Sequence, residues 1–138
     1  MARDIIHNAV KNALINDGWR ITDDPYTIRY DDDFAVYADL GADYPIAAQR
    51  ADDKIVVEIK SFLGRSRVHE LYIALGQYSL YQRLLKITAP ERKLYLAVSD
   101  LVYYDFFQLN AVQFIVRDSN LSILVVNTTT EEVLEWIN

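Results

Sequence analysis

The sequence predicts an α/β fold, a mixed β-sheet flanked by helices, in a single domain over residues 1–138. Three observations predict this class. Of the 138 residues, 51% are hydrophobic, which is enough for a real core. Segments with helical periodicity alternate with short runs rich in Val, Ile and Tyr. The four Gly and three Pro leave no room for a long linker between domains.

The first half of the chain predicts one helix followed by short strands. Apolar residues at helical spacing indicate a helix over 4–17, which ends at Gly18. Extended segments separated by acidic or Pro-containing bends follow, and we expect them to form an antiparallel meander. The predicted strands are 19–22, 26–30, 34–40, 45–50 and 54–61.

The second half predicts two further helices that alternate with strands. The longest periodic segment indicates a helix from Arg67 to Ile87, ending before Pro90. The other helix is strongly apolar, and we expect a break near Asn110. The predicted segments are helix 67–87, strand 92–98, helix 100–118, strand 121–127 and strand 133–137.

Glu58 and Lys60 stand two residues apart at the end of the strand predicted over 54–61. Residues i and i+2 of a strand share a face, so the two charges project together while Val57 and Ile59 face the opposite way. A buried strand rarely carries two charges on one face unless they have partners or a task. A nuclease site needs such a pair, with a carboxylate to hold a divalent cation and a cation to orient the attacking water.

A second carboxylate on a neighbouring strand would help to hold Mg²⁺, a hard cation that takes oxygen ligands. Asp39 is our first candidate because it ends an apolar strand, where a charge is not expected. Asp43 is the rival, because it begins the predicted strand that is nearest in sequence to strand 54–61. An ordinary surface-loop acid is the alternative for both.

Other polar residues are candidates for supporting roles. Gln77 and Tyr81 are four residues apart on a predicted helix and therefore share a face, which either overlies the charged strand end or is an ordinary boundary face. His7 and Lys11 have the same spacing on the first helix. His7 is a candidate metal or phosphate ligand, and a partly buried structural histidine is the alternative.

The net charge of −6 argues at first against nucleic acid as a partner, but the charges are unevenly distributed. Residues 1–53 hold 11 acids and 5 bases, and residues 99–138 hold 6 acids and 1 base. Residues 54–98 hold 3 acids and 8 bases, among them Arg65 and Arg67 in the loop after the charged strand end. This asymmetry is compatible with a local phosphate-binding surface, with both arginines as candidate DNA contacts. The alternative is an ordinary solvated charge pattern with exposed loop arginines.

Several classes of protein are excluded. The absence of Cys excludes disulfides, thiolate metal sites and Cys nucleophiles. No apolar run approaches the roughly 20 residues that span a bilayer, and the N-terminal segment lacks a signal-peptide core. We therefore expect a cytoplasmic protein without membrane contact. The apolar run 103–107 indicates core or a face for self-association, hence a homodimer.

The predicted order of elements, with an acid on one strand and Glu58-x-Lys60 on the next, resembles the restriction-endonuclease-like fold, also called PD-(D/E)xK. Gln77 and Tyr81 resemble the Gln-x-x-x-Tyr element of one branch of those nucleases. More specifically, the chain resembles the XisH family, the fdxN-element excision controlling factors of cyanobacteria. The stretches that carry this resemblance are 4–14, 39–42, 57–64, 74–78 and 94–98.

This resemblance implies control of the excision of a DNA element, beside a site-specific recombinase and a small partner protein of the XisI type. It does not by itself imply that this protein cuts DNA. A nuclease site in which Asp39 and Glu58 hold Mg²⁺ and Lys60 places the water is our hypothesis from the residues. The chain departs from the nuclease pattern in two places. Ala38 precedes Asp39 where Pro is usual, and the first helix offers His7 and Lys11 where many relatives place Glu.

Three hypotheses follow from the sequence. The leading one is a factor acting in DNA excision that is also a Mg²⁺-dependent DNA endonuclease. The alternative is a catalytically silent adaptor that uses the same fold to bind DNA or its partner protein. In the third, the Glu58–Lys60 pair only locks the strand edge, as a buried salt bridge does.

Overall fold

The structure, a computed structural model, describes residues 2–45 and 54–138. Four helices and eight strands are formed within these ranges, with one short 3-10 turn at Phe106–Gln108. The helices are α1 (Ala2–Asn16), α2 (Arg67–Thr88), α3 (Asp100–Tyr103) and α4 (Asn110–Asp118). The strands are β1 (Arg20–Asp23), β2 (Tyr26–Asp31), β3 (Phe34–Ala38), β4 (Leu40–Asp43), β5 (Lys54–Ile59), β6 (Lys93–Ser99), β7 (Ile123–Asn127) and β8 (Glu132–Ile137).

Six of the strands form one mixed sheet in the order β1-β4-β5-β6-β7-β8. The three strands β5, β6 and β7 run parallel to one another. Antiparallel partners flank them on both sides, β4 beside β5 and β8 beside β7. Parallel neighbours need a crossover connection, and α2 supplies it between β5 and β6. The predicted mixed α/β fold is confirmed.

The alternation of side chains along β5 gives each face of the sheet its own core. Ile55, Val57 and Ile59 join the cluster formed with the apolar side of α1. Val56 points the opposite way, into the cluster beneath α2. Glu58 lies two residues after Val56 and therefore shares its face of the strand, so the carboxylate lies on the α2 side of the sheet.

The prediction of one strand over 34–40 is wrong, because this segment is two strands. Among the described residues, β3 pairs with β2 in a separate two-stranded sheet, whereas β4 joins the main sheet between β1 and β5. Asp39 stands at the break between β3 and β4. A continuous strand and a broken one have the same apolar pattern, so the break could not be read from the sequence.

The strand predicted over 45–50 lies, apart from Pro45, outside the described residues. The helix predicted over 100–118 is interrupted earlier than expected: helix α3 ends at Tyr103, and α4 begins at Asn110.

No helix in the described part of the chain combines the length and the apolar character needed to cross a membrane.

The run 103–107 contributes mainly to the core. Phe106 and Phe107 are buried, although Tyr104 is exposed. The ring of Phe62, which lies in the loop after β5 at a φ of 54°, is 5.3 Å from the ring of Phe107 and 5.8 Å from that of Phe106. The run therefore anchors the loop that follows the charged end of β5.

Candidate functional site

A pocket of about 350 Å³ lies at the carboxyl-terminal end of β5, between α1 and α2. Most of the polar residues singled out in the sequence line it. They are His7, Asp39, Glu58, Lys60, Gln77 and Tyr81, with Glu70 beside them. Three acids, a lysine and an imidazole thus converge from separate segments of the chain on one concave surface.

Asp39 is placed by the strand break between β3 and β4. Its Oδ2 accepts a hydrogen bond of 2.8 Å from the backbone N–H of Ile59. Ile59 lies between Glu58 and Lys60, so this bond ties the first carboxylate to the strand end that carries the other two charges. The carboxylate is mostly shielded from solvent, with 14% of the side chain exposed.

Glu58 is buried beside Lys60, whose Nζ lies 3.6 Å from Oε2 of Glu58. The other oxygen, Oε1, is buried and has no hydrogen-bond partner in the described part of the chain. Burial, together with the nearby charge of Asp39, raises the pKa of Glu58 to about 7, even though Lys60 acts in the opposite direction. A positive charge placed at Oε1 would satisfy the unpaired oxygen and favour the ionised form.

Gln77 and Tyr81 lie on the side of α2 that faces the pocket, as the nuclease-like interpretation predicts. Tyr81 donates a hydrogen bond of 3.1 Å to the backbone carbonyl of Tyr37. Burial and the charges of Glu58 and Asp39 raise the pKa of Tyr81 to about 12, so its phenol remains protonated at neutral pH. Oε1 of Gln77 is buried and finds no partner among the described residues.

His7 connects the pocket to a second charged group. Its Nε2 lies 2.9 Å from Oδ1 of Asp24, and its Nδ1 lies 3.8 Å from Oδ1 of Asp39. Lys11 donates to Oδ2 of Asp24 at 3.0 Å. In the tautomer in which the Nε2–H of His7 donates a hydrogen bond to Asp24, Nδ1 carries a lone pair. Although burial opposes it, the hydrogen bond from Lys11 helps to hold the pKa of Asp24 below its ordinary value.

The fit of a divalent cation rests on the two carboxylates Asp39 and Glu58. Among the described residues, no group of three His, Cys, Asp or Glu side chains is arranged to hold a metal ion. Mg²⁺ does not require such a group, since it commonly binds through one or two carboxylates and keeps several waters. The unpartnered Oε1 of Glu58 is the feature of this pocket that fits a cation best.

Three other residues singled out in the sequence do not line the pocket. Asp43 lies opposite Lys54, at the far end of β5, where Arg20 binds its carboxylate at 2.7 Å. Arg67 pairs with Asp105 at 2.8 Å. Arg65 is exposed in the loop between β5 and α2. The geometry therefore favours Asp39 over Asp43 as the second acid.

Sequence reasoning missed Asp24 and Tyr37. Asp24 precedes Pro25 in what read as an ordinary bend, and only the tertiary structure brings its carboxylate to His7. Tyr37 enters the site through its backbone carbonyl, which no side-chain pattern can reveal.

A larger pocket, of about 570 Å³, lies on the opposite side of α2. Arg83, Lys86 and Lys93 line it together with Ser, Asn and Gln side chains, and no acid lines it. None of these three cations forms an ion pair with a carboxylate among the described residues. The basic segment of the sequence is therefore concentrated here as well as at the end of β5.

Comparisons with known proteins agree with this architecture. The family model described as "XisH protein" matches residues 1–134. An fdxN element excision controlling factor protein from Anabaena variabilis is 40% identical, with a TM-score of 0.86, and the match covers 99% of this chain and 100% of that one. An XisH family protein from Nostoc punctiforme is 38% identical, with a TM-score of 0.86, over 98% and 100% of the two chains. No curated protein matches. This chain belongs to the XisH family.

Proposed function

We propose that this protein controls the excision of a DNA element and cleaves phosphodiester bonds at the pocket beside β5 in a Mg²⁺-dependent reaction. One observation carries the catalytic part. The Glu58 carboxylate is buried in a polar pocket, beside Asp39 and Lys60, with one oxygen unpartnered within the described structure. The excision role is supported by the similarity to the Anabaena variabilis relative, an fdxN element excision controlling factor protein.

The environment of Glu58 supports a functional carboxylate. Burial and the charge of Asp39 raise the pKa of Glu58 to about 7, although Lys60 acts in the opposite direction. A buried salt bridge shows the same net rise when desolvation exceeds the attraction of its partner. The support for a functional site therefore comes from the raised pKa together with the geometry, because Asp39, Glu58 and Lys60 line one pocket.

Each polar residue has a distinct role in the proposed reaction. Asp39 and Glu58 would hold the cation, which when bound polarises the scissile phosphate and lowers the pKa of a coordinated water. Lys60 lies on the same face of the strand end, where its ammonium orients the attacking water and balances the two carboxylates. The Tyr81 phenol stays protonated and fixes the backbone of Tyr37 beside the pocket.

The test is cleavage of supercoiled plasmid, linear duplex and single-stranded DNA, with Mg²⁺, Mn²⁺ or EDTA, by the protein alone and with its XisI-type partner. Lys60→Ala is expected to abolish cleavage while the fold survives. Lys54→Ala is the matched control, because Lys54 lies at the other, exposed end of the same strand. Cleavage by Lys60→Ala at the wild-type rate, or no cleavage by the wild type under any condition, contradicts the catalytic proposal.

A second candidate is an adaptor that binds DNA or a partner protein without cutting. It is favoured by the lack of a three-ligand group among the described residues and by the acid-free basic pocket beside α2. Under this proposal, the chain would bring DNA to a site-specific recombinase together with an XisI-type protein. Fluorescence anisotropy with labelled duplex tests it: charge reversal at Arg65 and Lys93 should weaken binding, and cleavage should be absent throughout.

A further inference from the structure

The solvent-facing side of α2 is unusually apolar. The buried side of this helix carries Leu71, Ala74, Tyr78, Tyr81 and Leu85. On the opposite side lies an outer stripe, which consists of His69, Ile73, Gly76, Leu80, Arg83 and Ile87. Its apolar members are exposed, and Tyr72 flanks it; Tyr72 is 67% and Ile87 68% exposed.

The exposed apolar residues of the outer stripe point to a partner. Successive positions are separated by four, three, four, three and four residues, so they lie along one side of the helix. Side chains on such a stripe can enter holes on a facing helix. A helix side that faces only water is ordinarily polar, whereas Ile73, Leu80 and Ile87 are exposed here. The outer stripe therefore has the composition of a contact surface that the described part of the chain leaves uncovered.

Gly76 lies at the middle of the outer stripe, and no neighbour in the described part of the chain requires a glycine there. A Cβ at Gly18, Gly41 or Gly64 would come within 3.0 Å of a neighbouring side chain. Among the described residues, a Cβ at Gly76 would meet nothing within 4 Å. Because Gly is among the least favourable residues inside a helix, its presence at this exposed position is explained if a side chain of another molecule packs against it.

We propose that the outer stripe docks against the outer stripe of a second copy of this chain, with the two α2 helices antiparallel. A two-fold axis between positions 76 and 80 places Leu80 of each copy in the Gly76 notch of the other. The same axis sets Ile73 opposite Arg83. Such an isologous contact uses the same surface on both copies. Each copy contributes Leu80 to the other and receives the other's Leu80 at its own Gly76.

Charge favours the antiparallel arrangement. In a parallel pair, the two Arg83 guanidinium groups would face each other across the seam. In the antiparallel pair they are ten residues apart along the axis, about 15 Å at 1.5 Å per residue. The apolar stem of Arg83 then lies along Ile73 while its charged group stays in water.

The contact is small, which is typical of weak association. A helix of 22 residues is about 33 Å long, so a single helix pair falls at the small end of specific interfaces, near 1,200 Å² in total. Interfaces of this size are typical of transient complexes, and we expect a dissociation constant on the order of micromolar. Sedimentation equilibrium of the full chain, at loading concentrations of roughly 1 to 500 µM, should show monomer converting to dimer.

Two variants and one control make the proposal falsifiable. Gly76→Leu fills the notch and Leu80→Glu removes the knob, and each should raise the dissociation constant about tenfold or more. Gly76→Leu should not unfold the monomer, since the space is open and Leu is the better helix former. Leu101→Glu, on the exposed side of α3, should leave the dissociation constant unchanged. A chain that stays monomeric at all concentrations, or a dimer insensitive to both variants, overturns the proposal.

Disulfide crosslinking can test the orientation of the two helices, because the chain contains no Cys of its own that would interfere. Oxidation of a mixture of Ile73→Cys and Arg83→Cys chains should give the mixed disulfide dimer in excess over either symmetric one. Predominant crosslinking of Ile73→Cys to itself and of Arg83→Cys to itself would show a parallel pair and contradict the antiparallel arrangement.

Discussion

The carboxylate of Asp39 accepts a hydrogen bond from the backbone N–H of Ile59, and the two atoms lie 2.8 Å apart. This bond joins the break between β3 and β4 to the end of β5, and it brings Asp39 beside Glu58. The carboxylate therefore stabilises the fold through this hydrogen bond, in addition to its proposed role in metal binding. The two roles can be separated by substitution, because an amide oxygen can accept the same hydrogen bond.

Asp39→Asn should keep the fold and lose divalent-metal binding, whereas Asp39→Ala should lose both metal binding and stability. The alanine variant leaves the Ile59 N–H without its acceptor, which costs about 1–3 kcal/mol. Urea denaturation and calorimetric titration with Mg²⁺ measure the two effects. Asp43→Asn is the matched control for metal binding, and loss of binding in that variant would contradict the choice of Asp39.

Glu58→Gln should stabilise the protein at alkaline pH. The folded-state pKa of Glu58 is raised to about 7 by burial and by Asp39, above the ordinary value of 4.5. The folded state therefore binds the proton more tightly than the unfolded chain, and stability falls as pH rises from about 4.5 through about 7. At pH 8 this deficit is on the order of 3 kcal/mol.

Chemical denaturation at pH 4.5 and at pH 8 checks this expectation. The gain in stability of Glu58→Gln over the wild type should be large at pH 8 and nearly absent at pH 4.5. A variant that is less stable than the wild type at pH 8 would show that Glu58 is a structural salt-bridge partner instead.

Metal affinity should rise with pH across the same range. Mg²⁺ binds the ionised carboxylate, and Glu58, with a pKa of about 7, must release its proton first. Affinity measured by calorimetry should therefore increase from pH 6 to pH 8, with about one proton released per ion at the lower pH. An affinity that does not change with pH would exclude Glu58 as a ligand.

His7→Glu should strengthen Mg²⁺ binding. Nδ1 of His7 lies 3.8 Å from Oδ1 of Asp39, so a carboxylate at this position adds an oxygen ligand at the edge of the pocket. We expect a gain of about tenfold or more, because affinity for hard cations follows the number of charged oxygen ligands. Unchanged affinity in a folded variant would place His7 outside the metal's reach.

Tyr78→Phe should destabilise the fold without touching the pocket beside β5. The buried hydroxyl of Tyr78 donates to the carbonyl of Leu94 at 3.0 Å and accepts from the N–H of Ser122 at 3.1 Å. Its removal leaves both backbone groups unsatisfied, at a cost of about 1–3 kcal/mol. Tyr30→Phe, at an exposed position, is the control, and an equal effect in both variants would contradict this role.

The sequence predicted the fold class and several of the residues that line the pocket beside β5, because both depend on local periodicity. The alternation along β5 correctly placed Glu58 and Lys60 on one face, and helical spacing placed Gln77 and Tyr81 together. The strand break at Asp39 was not predictable, since it depends on β4 pairing with β1 and β5 rather than on its own residues.

The contact between Asp24 and His7 was missed for a similar reason. It joins positions 17 residues apart through the packing of α1 against the bend after β1. The preference for Asp39 over Asp43 as the second acid stays a prediction, and in the sequence it rested on the unusual position of a charge at the end of an apolar strand. The structure gives the stronger reason, because Asp43 lies at the opposite end of β5 from Glu58.

The most direct test of the account is anomalous diffraction from crystals grown with Mn²⁺ as a stand-in for Mg²⁺. The account predicts one strong peak within coordination distance of both Asp39 and Glu58, absent in crystals of Glu58→Gln. A map without density between these carboxylates, from protein shown to be folded and above pH 7.5, would contradict the proposed metal site.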